Sequence, residues 1–195
     1  QKADNILIGG AMAFTFMKAK GIDIGNSYYE PDNIDVAASI LDKCRINNIK
    51  LSLPIDVVVS DEIDNVREAY NCDVNNIPPK MKGFDVGINT CNHFKEIIST
   101  SRLIVWNGPL GVAEIPHYSE GTKFLANFIG SLHNEGVTTI IGGGDTSASV
   151  KQLSPLSEFT HISTGGGASL ELLSGKELPA FKSINSKRKF LLNEK

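Results

Sequence analysis

The 195-residue chain is 41% hydrophobic and 21% charged, with a formal net charge of −3. That composition is globular rather than disordered, and with no run of cations before Lys187-Arg188-Lys189 it excludes a broad basic face for nucleic acid. No apolar stretch approaches the roughly 20 residues that span a bilayer, and Gln1-Lys2-Ala3-Asp4 carries no signal-peptide apolar region. Cys44, Cys72 and Cys91 are scattered, without CxxC or metal-ligand spacing. They read as free thiols in a reducing compartment, so the expectation is a cytoplasmic chain that meets neither nucleic acid nor membrane. The length fits one domain.

In chain order, 6–8 reads as a strand, and 12–20 as a helix closed by Gly21. Residues 33–46 space Ile34, Val36, Ala37, Ile40 and Leu41 as a helix does. Residues 50–53 and 57–59 are strand-like and separated by Pro54. The stretch 61–82, rich in Asn, Asp and Pro, reads as an irregular surface excursion. A helix is predicted over 89–99, a buried strand over 103–106, an amphipathic helix over 118–133 and a β-branched strand over 137–141. A short helix over 146–153, a strand over 161–163 and a helix over 168–173 follow. Strands alternating with helices predict right-handed βαβ units: a doubly wound, Rossmann-like parallel sheet with helices on both faces, a three-layer αβα sandwich. The chain begins almost directly on a strand, a start expected of a domain cut at its boundary.

Four glycine clusters follow strands and precede helices: Gly9-Gly10-Ala11, Asn107-Gly108-Pro109-Leu110-Gly111, Gly142-Gly143-Gly144-Asp145-Thr146, and Ser163-Thr164-Gly165-Gly166-Gly167. In a parallel sheet these positions share one edge, where ligands of open α/β sheets bind. Glycine lets backbone approach a ligand, and a helix N-terminus behind it favours an anion such as phosphate. Neither GxxxxGK[ST] nor a GxGxxG dinucleotide fingerprint is present. Asp145 suits either an ordinary helix cap or a Mg²⁺-binding carboxylate beside phosphates. Glu114 suits either an exposed loop or a ribose contact. His93, His117, His133 and His161 lack metal spacing, Trp106 reads as a core aromatic, and Cys91 as a small helix residue. Phosphoryl transfer needs cations near the transferred group, yet no cluster contains Lys or Arg, and Lys18 and Lys176 read as surface residues.

Taken together, the segments 8–16, 53–58, 105–111, 141–146, 161–173 and 175–179 resemble phosphoglycerate kinase in order and spacing, over about residues 4–180. The resemblance implies the nucleotide-binding half of that family: a domain over 1–180 that binds ADP or ATP with Mg²⁺, followed by a polar basic tail over 181–195. Carried over, it implies that Gly9, Gly10, Tyr28, Gly83 and Phe84 border the adenine. It places Asn107, Pro109 and Val112 along the base and phosphate path, and Glu114 on the ribose. Gly143, Gly144, Asp145 and Thr146 would hold phosphates, with Asp145 on the metal, and Gly165, Gly166 and Gly167 would stabilise the phosphoryl group in flight. The family also implies a monomer and a separate N-terminal phosphoglycerate-binding domain carrying the cations missing here. Departures gather on the adenine side, with Tyr28 for leucine, Ala113 for phenylalanine and Lys80-Met81-Lys82 for Gly-Trp-Met. Two other readings stay open: a non-catalytic nucleotide-binding module derived from the family, and a sugar-phosphate-binding domain using the same turns.

Overall fold

The computed structural model describes residues 3–155, 157–167, 171, 174 and 175. The helix expected over 168–173, Lys176 and the 181–195 tail fall almost wholly outside that range. In chain order come β1 (Asn5–Leu7), α1 (Gly10–Ala19), α2 (Ile34–Ile46), β2 (Lys50–Ser52) and β3 (Asp56–Ser60). Then follow β4 (Tyr70–Asp73), β5 (Lys82–Val86), α3 (Ile88–Ile98) and β6 (Leu103–Asn107). The series ends with α4 (Glu120–His133), β7 (Thr138–Gly142), α5 (Gly144–Leu153) and β8 (His161–Ser163).

Strands β1 and β2 pair in parallel with Asn5 opposite Lys50, and β6, β7 and β8 pair in parallel with Trp106 opposite Ile141 and Ile141 opposite Ile162. Neighbouring residues of β1 divide the core. Ile6 packs with Phe14, Met17 and Ala37 of α1 and α2, and Leu7 packs with Phe94, Trp106, Ile129 and Val150 beside α3, α4 and α5. Successive strand residues face opposite sides, so the two helix sets cover opposite faces, and the three-layer αβα sandwich read from the sequence is the observed one. On β6 the α4 face takes Ile104 and Trp106, whereas Leu103 and Val105 on the other face stay 60% and 41% exposed.

Two local readings change. Residues 61–82 are not an irregular excursion alone: β4 and the start of β5 flank β3 in an antiparallel sheet of order β4-β3-β5. The alternation signal fails there because only Cys72 of β4 is buried, so backbone pairing carries the strand. On α2 the inward stripe is Ala37, Ile40, Leu41 and Cys44, and Val36 turns out to solvent at 53% exposure. Gly21 closes α1 as expected, with φ +76° and its amide on Lys18.

The turn from β3 toward α3 rests on Asp56, 2% exposed. Its carboxylate accepts from the Thr90 amide at 2.7 Å, the Asn89 amide at 3.0 Å, Asn71 Nδ2 at 2.8 Å and the Thr90 hydroxyl at 2.6 Å. Gly87, the residue before α3, has no side chain to cap the helix, so Asp56 does so from another strand. Burial works to raise this carboxyl, but the Thr90, Asn71 and amide donors together hold it below the ordinary value. The stability it contributes is therefore complete above the unfolded-state pKa and disappears as pH falls through the lower native value. Asp56→Ala is expected to cost about 3 kcal/mol at neutral pH through unpaired donors. In urea titrations the gap to wild type should narrow as the pH is lowered through the acid limb.

Candidate functional site

The glycine clusters meet at the carboxyl ends of the parallel strands. The Gly10 amide, at the start of α1, donates to the Leu110 carbonyl at 3.1 Å, and a Cβ on Gly9 would overlap the Leu110 side chain. The Gly108 amide donates to Thr146 Oγ1 at 2.7 Å, tying the turn after β6 to the first turn of α5. The Gly143 amide donates to the Ser163 carbonyl at 3.0 Å. A Cβ on Gly166 would lie 2.7 Å from Gly143 Cα and 3.6 Å from Asn107 Nδ2. Asn107, Gly143 and Gly166 thus come from three strands to one spot. Trp106 is a core aromatic as read, and its Nε1 also donates to the Gly108 carbonyl at 2.7 Å.

Gly143 is the residue before α5, at φ +102°. Among the described residues no side chain caps this helix, and the first amides of an α-helix lack intrahelical acceptors, so Gly144, Asp145 and Thr146 present their N–H groups with the positive dipole end. Asp145 is exposed in that first turn and is not the helix cap that it could have been from sequence. Thr146 is 2% exposed, with its hydroxyl on the Gly108 amide. Gly165 and Gly167 are exposed beside Gly166.

The positions read as adenine-side form a second contiguous strip. Gly83 lies against the Phe14 ring, and its amide donates to Ser27 Oγ at 2.9 Å, next to Tyr28, itself 68% exposed. The Val112 amide donates to the Phe84 carbonyl at 2.9 Å, and the Pro109 carbonyl sits 3.1 Å from the Cβ position of Gly10. Glu114 is exposed in the turn closed by the Ile115 amide on the Val112 carbonyl at 3.0 Å. Tyr28 and Glu114 mark the ends of the strip, one before Gly83 and one after Val112.

Sequence reasoning missed Asp85, 3% exposed at the end of β5. Its signal was present, an acid directly after Gly83-Phe84, but its burial follows from Gly111 and Gly121 folding against it. Burial pushes its carboxyl up to about 7, against the Gly121 and Val86 amides, with Glu120 adding to the rise. Cys91 is buried in α3 as expected, with its thiol pushed up to about 12, first by burial and then by Asp85 and Asp56, so it is no nucleophile. A cleft of about 500 Å³ opens between β4, α3 and α4, but none of the residues assigned from sequence lines it. Among the described residues no group of three His, Cys, Asp or Glu is placed to hold a metal ion.

These features define a doubly wound α/β protein whose strand-end edge is made of backbone and helix N-termini. The family model described as phosphoglycerate kinase matches residues 1–176, and the chain belongs to that family. A phosphoglycerate kinase of Pelodictyon phaeoclathratiforme is 46% identical over 185 residues, 95% of this chain and 47% of that protein. One of Fervidobacterium nodosum is 45% identical over 190 residues, 96% of this chain and 47% of that protein. The solved phosphoglycerate kinase of Coxiella burnetii superposes with a TM-score of 0.84 at 38% identity, over 92% of this chain and 46% of that one. The chain spans about half the length of the curated relatives it matches.

Gly143→Ala should cost about 2 kcal/mol, because φ +102° is strained for any residue with a Cβ. Gly136 also has a positive φ, of +82°, but no heavy atom within 4 Å of its Cβ position. Gly136→Ala pays backbone strain alone, so a thermal melt of both variants separates strain from crowding against Thr146 and Asn107.

Proposed function

We propose that residues 1–180 are the nucleotide-binding half of a phosphoglycerate kinase, and that the glycine edge holds ADP or ATP with Mg²⁺. The observation that carries this reading is the start of α5: an uncapped helix end, a positive-φ glycine and an exposed acid, set where three other glycine turns converge. Gly9, Gly10, Tyr28, Gly83, Phe84 and Val112 border the base, and Glu114 reaches the ribose. Asn107, Pro109, Gly143, Gly144 and Thr146 line the phosphates. Gly165, Gly166 and Gly167 turn backbone donors toward the transferred group.

Asp145 suits Mg²⁺, which takes one or two carboxylates together with substrate phosphates rather than an all-protein cage. Bound there, the ion would neutralise phosphate charge. This chain's own part is to orient the nucleotide through amides and to hold its phosphates at the helix end. The four turns contain no Lys or Arg, so the side-chain cations come from outside them. In the whole protein, an N-terminal phosphoglycerate-binding domain supplies them, and the monomer reversibly converts 1,3-bisphosphoglycerate and ADP to 3-phosphoglycerate and ATP in the cytoplasm. Among the described residues no helix is long and apolar enough to cross a membrane.

Calorimetric titration of the 195-residue chain with ADP in the presence of Mg²⁺ should show binding. Asp145→Asn should weaken it about tenfold, roughly 1.4 kcal/mol, and leave metal-free ADP binding nearly unchanged. The same preparation should show no turnover in a coupled kinase assay. Robust turnover would overturn the reading of this chain as a binding half.

A further inference from the structure

The strip that includes Val112 and Glu114 rests on a buried acid. Asp85 Oδ1 accepts from the Val86 amide at 2.8 Å, and Oδ2 accepts from the Gly121 amide at 2.9 Å in the first turn of α4. A Cβ on Gly111 would overlap Asp85 Oδ1 and the Tyr118 carbonyl, and one on Gly121 would lie 2.6 Å from Asp85 Oδ1. The neighbouring Phe84 carbonyl takes the Val112 amide. One carboxylate therefore bonds the end of β5 to the start of α4, and the Gly111 turn packs directly against it.

Asp85 caps α4 from the strand, because the Ser119 side chain before the helix makes no cap bond, yet an acid at 3% exposure bears a large desolvation cost. Among the described residues no ion pair includes Asp85. The titratable or charged groups around it are Glu120 on α4, Cys91 on α3 and Asp56 on β3, with His117 and Lys123 lining the cleft that Val86 and Gly121 also line. Nothing there is placed to neutralise it.

Resting on the nucleotide reading above, we propose that Asp85 is a positioning residue for the nucleotide: it fixes the 111–114 turn, and affinity for the base and ribose follows the ionisation of its carboxyl. Both oxygens accept N–H groups, the arrangement that suits the carboxylate. Protonation weakens the bonds from the Val86 and Gly121 amides and so loosens the start of α4, and with it the carboxylate surface on which Gly111 packs. Affinity should therefore fall as pH drops through neutrality, where burial has placed this group. Conversely, the carboxyl's contribution to fold stability is complete below its unfolded-state pKa and is lost as pH rises through about 7.

Adenosine is the discriminating probe, because it carries no phosphate that titrates in this range. For the wild-type chain, adenosine affinity should rise several-fold between about pH 6 and pH 8. Asp85→Asn should bind about tenfold more weakly with a flat profile, since one oxygen becomes a donor facing an N–H. Glu120→Gln removes the negative neighbour and leaves the turn intact. It should shift the midpoint of the profile to lower pH with the same high-pH affinity, which a merely structural role would not produce. His117→Gln should keep the wild-type profile. Wild-type binding with no pH dependence, or an unmoved midpoint in Glu120→Gln, overturns the inference alone. A wild-type chain that binds neither adenosine nor ADP with Mg²⁺ overturns the nucleotide reading and this inference with it.

Discussion

At the ends of β7 and β8 the strand-end edge brings backbone onto backbone. Gly166 and Gly143 stack so tightly that a single methyl would not fit between them, with Gly166's missing Cβ 2.7 Å from Gly143 Cα. The contact follows from the β7–β8 register, which sets Gly142 opposite Ser163 and carries the Gly143 amide to the Ser163 carbonyl. Asn107, arriving from β6, fills the remaining space, and Gly108 then hangs from Thr146. Between Gly143 and Gly166 there is no room for a side chain, so a ligand at that spot meets amides and a helix end. Those suit phosphate.

Two buried acids show how donor count and depth of burial decide a carboxyl together. Asp56 and Asp85 are both closed to solvent, at 2% and 3% exposure, but the Asp85 carboxyl lies deeper in the protein. Asp56 collects a hydroxyl, a side-chain amide and backbone amides, and its carboxyl is held low. Asp85 collects only two backbone amides and has Glu120 for a neighbour, and its carboxyl rises. Hydrogen bonds to the charged form outweigh desolvation in the first case and lose to it in the second. The first acid is a fixed joint. The second sits where a proton can be exchanged under ordinary conditions, directly beneath the turn that leads to Glu114.

The layered architecture was legible because buried parallel strands are short apolar runs set between helical periods, as in Val137–Ile141 and Thr122–Leu132. The glycine turns were legible because strand, glycine and helix recur in the same order. β4 was not, since Tyr70 to Asp73 bury only one side chain and owe their form to the β3 ladder. Val36 misled because it is apolar yet stands off the α2 stripe. Asp85 escaped notice because its role arises from Gly111 and Gly121, distant in sequence and marked only by lacking a side chain. Missing atoms leave no periodicity to detect.

The adenine-side departures can be weighed against one another. Phe84 stands where the resemblance implies leucine, and Ala113 where it implies phenylalanine. The two segments are joined by the Val112 amide on the Phe84 carbonyl, and Ala113 is buried at 6% exposure. The Phe84 ring packs against Tyr118 with centroids 4.9 Å apart. One aromatic ring leaves the turn and another enters the strand beneath it, but phenylalanine for leucine adds much less volume than alanine for phenylalanine removes. The two changes leave the turn leaner, with glycine at 111 and alanine at 113, so its position depends less on its own side chains and more on the strand below. The Val112 amide on the Phe84 carbonyl and the packing of Gly111 on Asp85 then hold the turn that leads to Glu114.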